Sequence, residues 1–199
     1  MNISKARELL KNNISPNLFT HSMGVEETAL RLAAAYGVDG EKVSFSGLMH
    51  DYGKIFSNDI LHRIAMENAL VDDLTLQEPA LLHAPVGAWL LKRDLGIDDG
   101  EILEAVRMHT TGVAGMSLLA RIVYLADYIE PGRTCPGVKD IREIAFSDLD
   151  RALLGAVNLT IKYVLEREKI VHPNSISFRN SLILSLRKNN QELQGYEAY

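Results

Sequence analysis

Cysteine occurs once in the 199 residues, at Cys135. An internal disulfide is therefore excluded, and the usage suits a reducing compartment. No apolar run approaches the roughly 20 residues of a membrane span. The opening stretch MNISKARELLKNN lacks the apolar segment of a secretory signal. Basic charge is not in excess either. The formal net charge is −5, whereas a general nucleic-acid binder shows a basic face. A small anionic substrate stays compatible, because a local group of Lys, Arg and metal overrides the net charge. Repeats, low-complexity tracts and linkers rich in Gly, Ser or Pro are also missing. The expectation is one cytoplasmic domain over residues 1–199, with neither membrane nor nucleic acid as partner, and a homodimer is admitted.

What the chain does have is helical periodicity nearly throughout. In SPNLFTHSMGVEETALRLAAAYG, Ser15 is placed to cap, Pro16 suits the first helical position and Gly37 suits the end. Leu18, Val25, Ala29, Leu32 and Ala33 recur at spacings that make one apolar face. DGEKVSFSGLMHDYG reads as a second helix running to about Gly53, and NDILHRIAMENAL as a shorter third. EPALLHAPVGAWLLKRDLG, DDGEILEAVRMHTTG, MSLLARIVYLADYIEPG, DLDRALLGAVNLTIKYVLEREK and SFRNSLILSLRKNNQELQ follow as further helices. IVYLADYI is rich in strand formers, but Leu118, Ile122 and Leu125 stay in helical step. The fold class expected is all-α. Trp89, in GAWLL, reads as core rather than as an interaction patch.

The chemistry concentrates in GLMHDYGK, Gly47 to Lys54. His50 and Asp51 are adjacent, so on a helix they point about 100° apart and do not chelate as an i, i+4 pair does. That placement suits a carboxylate that bridges two ions while the imidazole reaches one. Lys54 lies three residues from Asp51 and shares its face if the helix persists. An ammonium beside metal ligands makes sense when an anion sits between them. The structural alternative is a helix end with a polar cluster.

His21, His83 and His109 sit at helix ends or inside apolar runs, and each taken singly reads as a packed or solvated histidine; His62 keeps that reading. Asp127 falls in the apolar helix around YLADY, where an aspartate is unfavourable unless paired or metal-bound. Its structural alternative is a salt bridge to Arg121 or Arg133. Arg133 follows the Pro131-Gly132 stop, where a guanidinium can fork onto a phosphate.

The order His21, His50-Asp51, Asp127 resembles the HD-domain phosphohydrolase superfamily, whose core is an all-helical bundle holding a metal at those positions. His83 and His109 match the branch that binds a second ion. HSMGVEETALRLAAAYGVD, GLMHDYGK, HAPVGAWL, HTTG, LADYIEPGR and HPNSISFRN together resemble the YqeK group, symmetrical bis(5'-nucleosyl)-tetraphosphatases. The likeness covers about residues 15–180, with a C-terminal helix and tail over 176–199.

The resemblance implies two transition-metal ions, iron first and Mn, Co or Zn as alternatives, on His21, His50, Asp51, His83, His109 and Asp127. Histidine and carboxylate donors without thiolate suit such metals better than Mg or Ca. It also implies cleavage of diadenosine tetraphosphate into two ADP. Asp51, Lys54 and Arg133 are the expected catalytic residues. His21, Lys54, His83, His109, Thr110, Arg133, His172, Pro173, Ser175 and Arg179 are the candidate nucleotide contacts. Thr110 reads equally as a helix cap, the 172–179 loop as a turn, and Glu130 as a supporting carboxylate or a helix-end charge. Three rival readings remain open from sequence: an HD hydrolase of another nucleotide, a nucleotide or metal sensor without turnover, and a helical scaffold whose polar cluster is structural.

Overall fold

The computed structural model describes residues 1–196, so positions 197–199 of the expected tail lie outside the described residues. Every regular element among the described residues is helical. Helix α1 (Ile3–Asn13), capped by the Asn2 side chain on the Lys5 amide, precedes the elements expected from periodicity. Helix α2 (Pro16–Tyr36) begins as expected: Ser15 Oγ accepts the Leu18 amide at 3.3 Å, and Gly37 closes it with φ 71°.

Helix α3 (Gly40–Met49) stops short of Gly53, and the chain continues as a 3₁₀ turn over Tyr52–Ile55. The reason is tertiary. A Cβ on Gly53 would run into the His83 carbonyl, and one on Gly87 would meet the Gly53 nitrogen at 3.0 Å. The turn therefore lies directly on α6, an approach that only glycine at both positions permits.

Helices α4 (Asn58–Glu67), α5 (Asp73–Leu76) and α6 (His83–Leu95) follow. Helices α7 (Gly100–Met108) and α8 (Leu118–Ile129) come next. The segment that could have been a strand is thus the helix α8. Ser117 caps it on the Ala120 amide, and Pro131 stands just beyond its end. Helix α9 (Val138–Ile144), like α5, has no counterpart among the expected helices; α10 (Leu149–Leu165) does. Helix α11 (Pro173–Tyr196) starts earlier than its apolar pattern. Pro173 and Ser175 consequently sit in a first helical turn rather than in a loop, and proline suits that position because the missing N–H has no helical partner there.

Two apolar cores result. One is built on Val25 and Leu32 of α2, Ile122 and Leu125 of α8, Leu153 of α10 and Phe178 of α11. The other joins Leu10 of α1, Leu61 of α4 and Leu90 and Leu91 of α6. Helices α3 and α7 feed both: Val43 and Ala105 face the first, Leu48, Met49 and Val106 the second. Each such fully buried large side chain contributes about 1.5–3 kcal/mol by leaving water. Trp89 packs partly buried against the second core, with the Arg93 guanidinium over its ring. The C-terminal ends of α3 and α7 are thereby pinned at the seam between the cores, and His50 and His109 are their capping residues. No described helix is long and apolar enough to cross a membrane.

Candidate metal centre

His50 and His109 are held by the same local device. Each Nδ1 lies against the carbonyl three residues back, Gly47 at 2.8 Å and Val106 at 2.7 Å. Nδ1 must donate there, so each neutral ring turns an Nε2 lone pair inward. His21 is set likewise by Glu130, whose Oε1 faces its Nδ1 at 3.1 Å. Three Nε2 atoms and that of His83 converge. His21 and His50 Nε2 are 3.3 Å apart, and His83 and His109 Nε2 are 3.1 Å apart. Lone pairs facing at that distance repel unless positive charge lies between them.

The carboxylates complete the ring. Asp51 Oδ2 is 3.3 Å from His50 Nε2 and 3.8 Å from His21 Nε2, while its Oδ1 is 3.2 Å from His83 and 3.4 Å from His109. Asp51 Oδ1 is buried without a well-directed hydrogen bond. Asp127 Oδ1 reaches His21 Nε2 at 3.1 Å. Two donor sets are close enough to share an ion each, His21–His50–Asp127 and His50–Asp51–His109. The orphaned Asp51 oxygen, the facing lone pairs and two helix C-termini all favour cations here. The residues present therefore fit metal ions of the kind that take imidazole and carboxylate.

Electrostatics agree with the geometry. Burial opposes charge on Asp51, but the His50, His109 and His83 rings outweigh it and hold the carboxyl well below its usual range. Burial likewise opposes charge on Asp127, and the His21 contact with the His50 and Arg133 charges reverses that. Burial drives His109 down to about 4, which keeps it neutral and its lone pair free at neutral pH. Burial also weighs against charged His50, but Asp51 beside it prevails and raises its pKa.

The expected phosphate cations stand at the rim. Lys54 Nζ is 2.7 Å from Asp51 Oδ2 although α3 has already ended. Arg133 binds Asp127 twice, Nε on its carbonyl at 2.9 Å and Nη2 on Oδ1 at 2.5 Å. Of the two arginines weighed as partners for Asp127, Arg133 is the one that pairs; Arg121 pairs with Asp150 instead. Thr110 lines a cavity of about 570 Å³ together with Asp127, Tyr128, Arg133, Cys135 and Tyr163.

The C-terminal candidates lie on other contacts. His172 Nδ1 accepts the Asn174 amide, leaving Nε2–H for the Thr75 hydroxyl at 3.0 Å. It lines a smaller cavity with Thr110 and Asn174. Ser175 is buried and its hydroxyl donates to the Thr111 carbonyl. Pro173 opens α11. Arg179 donates to Asn158. His62 stands apart from the centre on α4.

Two contributions were faint or invisible in sequence. Glu130, which also accepts the Gly132 amide at 2.6 Å, reaches His21 because α2 carries Gly24 at the contact. A Cβ there would stand 2.8 Å from the Glu130 carboxylate. His21 and Gly24 one turn apart were the available signal. Arg142 of α9 donates to the carbonyls of Ile129, Glu130 and Arg133, bracing the turn that carries both functional side chains. Carbonyl acceptors leave no trace in a sequence.

The HD domain family model matches residues 18–132. A protein of Halalkalibacterium halodurans named "Bis(5'-nucleosyl)-tetraphosphatase, symmetrical" is 38% identical over 184 residues, covering 92% of this chain and 98% of that protein. A Bacillus subtilis protein of the same name is 36% identical over 183 residues, covering 92% and 98%. A crystal structure from Clostridium acetobutylicum, described as a "predicted HD superfamily hydrolase involved in NAD metabolism", superposes with TM-score 0.88 at 40% identity, covering 93% of this chain and 98% of that one.

Proposed function

Since the chain belongs to the HD domain family, we propose that it is a metal-dependent hydrolase that splits dinucleoside tetraphosphates symmetrically, diadenosine tetraphosphate giving two ADP. The names of the Halalkalibacterium and Bacillus relatives support the substrate. One observation of the chain itself carries the reading. The two oxygens of Asp51 face different histidine pairs, Oδ2 toward His50 and His21 and Oδ1 toward His83 and His109. A carboxylate so placed would offer one oxygen to each of two ions.

His21, His50 and Asp127 would hold one ion and His83 and His109 the other, with Asp51 shared. Iron is the metal we assign, with Mn, Co or Zn compatible with the same donors. When bound, such ions supply Lewis acidity and lower the pKa of water. The rest is done by the chain. Glu130 and the Gly47 and Val106 carbonyls fix ring orientation, so the donor atoms need no reorganisation. Lys54 and Arg133 lie within one side chain's reach of a phosphate seated over Asp51 and Asp127, and they offset charge on its oxygens as the bond breaks. Thr110, which lines the same cavity as Asp127 and Arg133, would donate a hydroxyl hydrogen bond to the same phosphate. Water adds its oxygen to one inner phosphorus, the central bridging oxygen departs with the other diphosphate, and one proton is released. The cavity flanked by Arg133, Tyr128 and Tyr163 suits the nucleoside of the attacked half. His172 lines the smaller cavity that also borders Thr110, and His172, Pro173, Ser175 and Arg179 would serve the nearby ribose and phosphate from that side.

The test joins metal content and hydrolysis on one anaerobically purified sample, wild type beside His83→Ala. About two ions per chain and ADP as sole nucleotide product, both lost in the variant, are expected. ATP with AMP as products would refute symmetrical cleavage. Unchanged metal and turnover in the variant would remove His83 from the centre.

A further inference from the structure

A dinucleotide with two equal halves must place them in unequal surroundings here, because the centre has no two-fold symmetry. His21, His50, His83 and His109 come from four different helical segments, α2, the end of α3, α6 and the end of α7. In-line displacement adds a second constraint. The leaving oxygen departs opposite the incoming water, so the departing diphosphate half extends away from the half under attack. It needs ground of its own.

A second cavity meets the centre elsewhere. It holds about 480 Å³ and is lined by Lys54, Phe56, Ser57, Asn58, Ala80 and His83, among others. It shares no lining residue with the tyrosine-lined cavity that borders His109 and Asp127. One cavity thus opens on the His109–Asp127 edge and the other on His83, with Asp51 between: its Oδ1 faces both His83 and His109. The volume falls within the range of about 300–1,000 Å³ typical of small-molecule sites. The lining has the chemistry of a nucleotide. Lys54 is a cation for phosphate, half-buried Phe56 offers a flat apolar face for a base, and Asn58 carries amide donor and acceptor. The Ser57 hydroxyl is not engaged in capping α4.

We propose that this cavity is the subsite for the departing nucleoside diphosphate, with Phe56 against its base and Lys54 and Asn58 on its phosphate and ribose. The proposal rests on the dinucleotide-hydrolase reading for its ligand. It gives the chain a means of preferring a dinucleotide over a mononucleotide of equal phosphate count.

The experiment compares kcat/KM of metal-loaded protein on diadenosine tetraphosphate and on adenosine 5'-tetraphosphate, which lacks the second nucleoside. It also measures how many ADP molecules each chain binds at equilibrium. Phe56→Ala is expected to lower the ratio of the two kcat/KM values about tenfold, as loss of one base–aromatic stack does. Ala80→Trp, at an exposed position that should not disturb folding, is expected to lower it as well by filling the cavity. Wild type should bind two ADP per chain, and Ala80→Trp one. Wild type that splits the dinucleotide but binds a single ADP, with an unchanged ratio in both variants, would overturn the subsite and leave the hydrolase standing. Wild type that binds two ADP, one of them lost in Ala80→Trp, yet splits nothing would overturn the hydrolase and leave the subsite standing.

Discussion

His50, Asp51 and His109 are sealed in the seam between the two cores, with side-chain exposures of 0%, 2% and 1%, whereas His21 and Asp127 are 16% and 20% exposed. The two halves of the centre are also oriented differently. On the buried side the rings are held by backbone carbonyls of their own helices, Gly47 and Val106. On the open side they are held by side chains from a distant turn, Glu130 on His21 and Arg133 on Asp127. The buried half is thus set by helix geometry, and the open half by a turn that Arg142 braces. The open half should be the more adjustable one, since the exposed Arg133 can be drawn off Asp127 by a phosphate while the buried carbonyls cannot be displaced.

Removing Asp51, the carboxylate that faces both histidine pairs, should have the largest effect. Asp51→Ala is expected to abolish metal in both and to reduce hydrolysis by more than the about 100-fold that loss of a supporting carboxylate brings. Metal analysis alongside ADP release checks this, and an ion retained in either half would break the idea of a shared bridge. Altering the open half alone comes next. Glu130→Gln removes the anionic partner of His21 and should weaken one ion by about 10–100-fold while the other is kept. Chelator competition on variant and wild type should then show one weakened and one unaltered class of ion.

A third change acts on the packing under the buried half. Gly53→Ala forces a methyl into the His83 carbonyl and should destabilise the fold by about 1–3 kcal/mol, read from urea unfolding. Stability equal to wild type would show that the turn can move off α6. The smallest effect concerns pH. In chelator-stripped protein, unfolded His109 takes up a proton near 6.5, but the folded ring resists until about 4. Between those values the unfolded state binds more protons, so stability falls as pH is lowered through this window. His50, with its raised pKa, works in the opposite sense in both proteins. His109→Asn should therefore lose less stability from pH 7 to 5 than wild type, by urea midpoint. Parallel curves would contradict the neutral buried ring.

How much was legible follows from the kind of interaction involved. Helices α2, α8 and α10 announce themselves because their apolar spacing and their caps are local, as the Ser15 hydroxyl on the Leu18 amide shows. The early end of α3 was not legible. It depends on Gly53 meeting His83, thirty residues on in the chain. Short α9 has too few residues for its period to stand out. Among site residues, GLMHDYGK is legible because adjacent metal-binding types beside a lysine are chemically pointed. Glu130 and Arg142 act through a remote histidine and through carbonyls, and neither partner is written beside them.

The sequence alone therefore determined the helical class, the donor types and the family likeness, because periodicity, capping and side-chain chemistry are properties of neighbours along the chain. The tertiary structure decided which oxygen of Asp51 faces which histidine pair, which arginine holds Asp127, and where two separate cavities open. Those depend on how α3, α6, α7 and α8 pack at one seam, and packing is settled by contacts between residues that the chain itself keeps far apart.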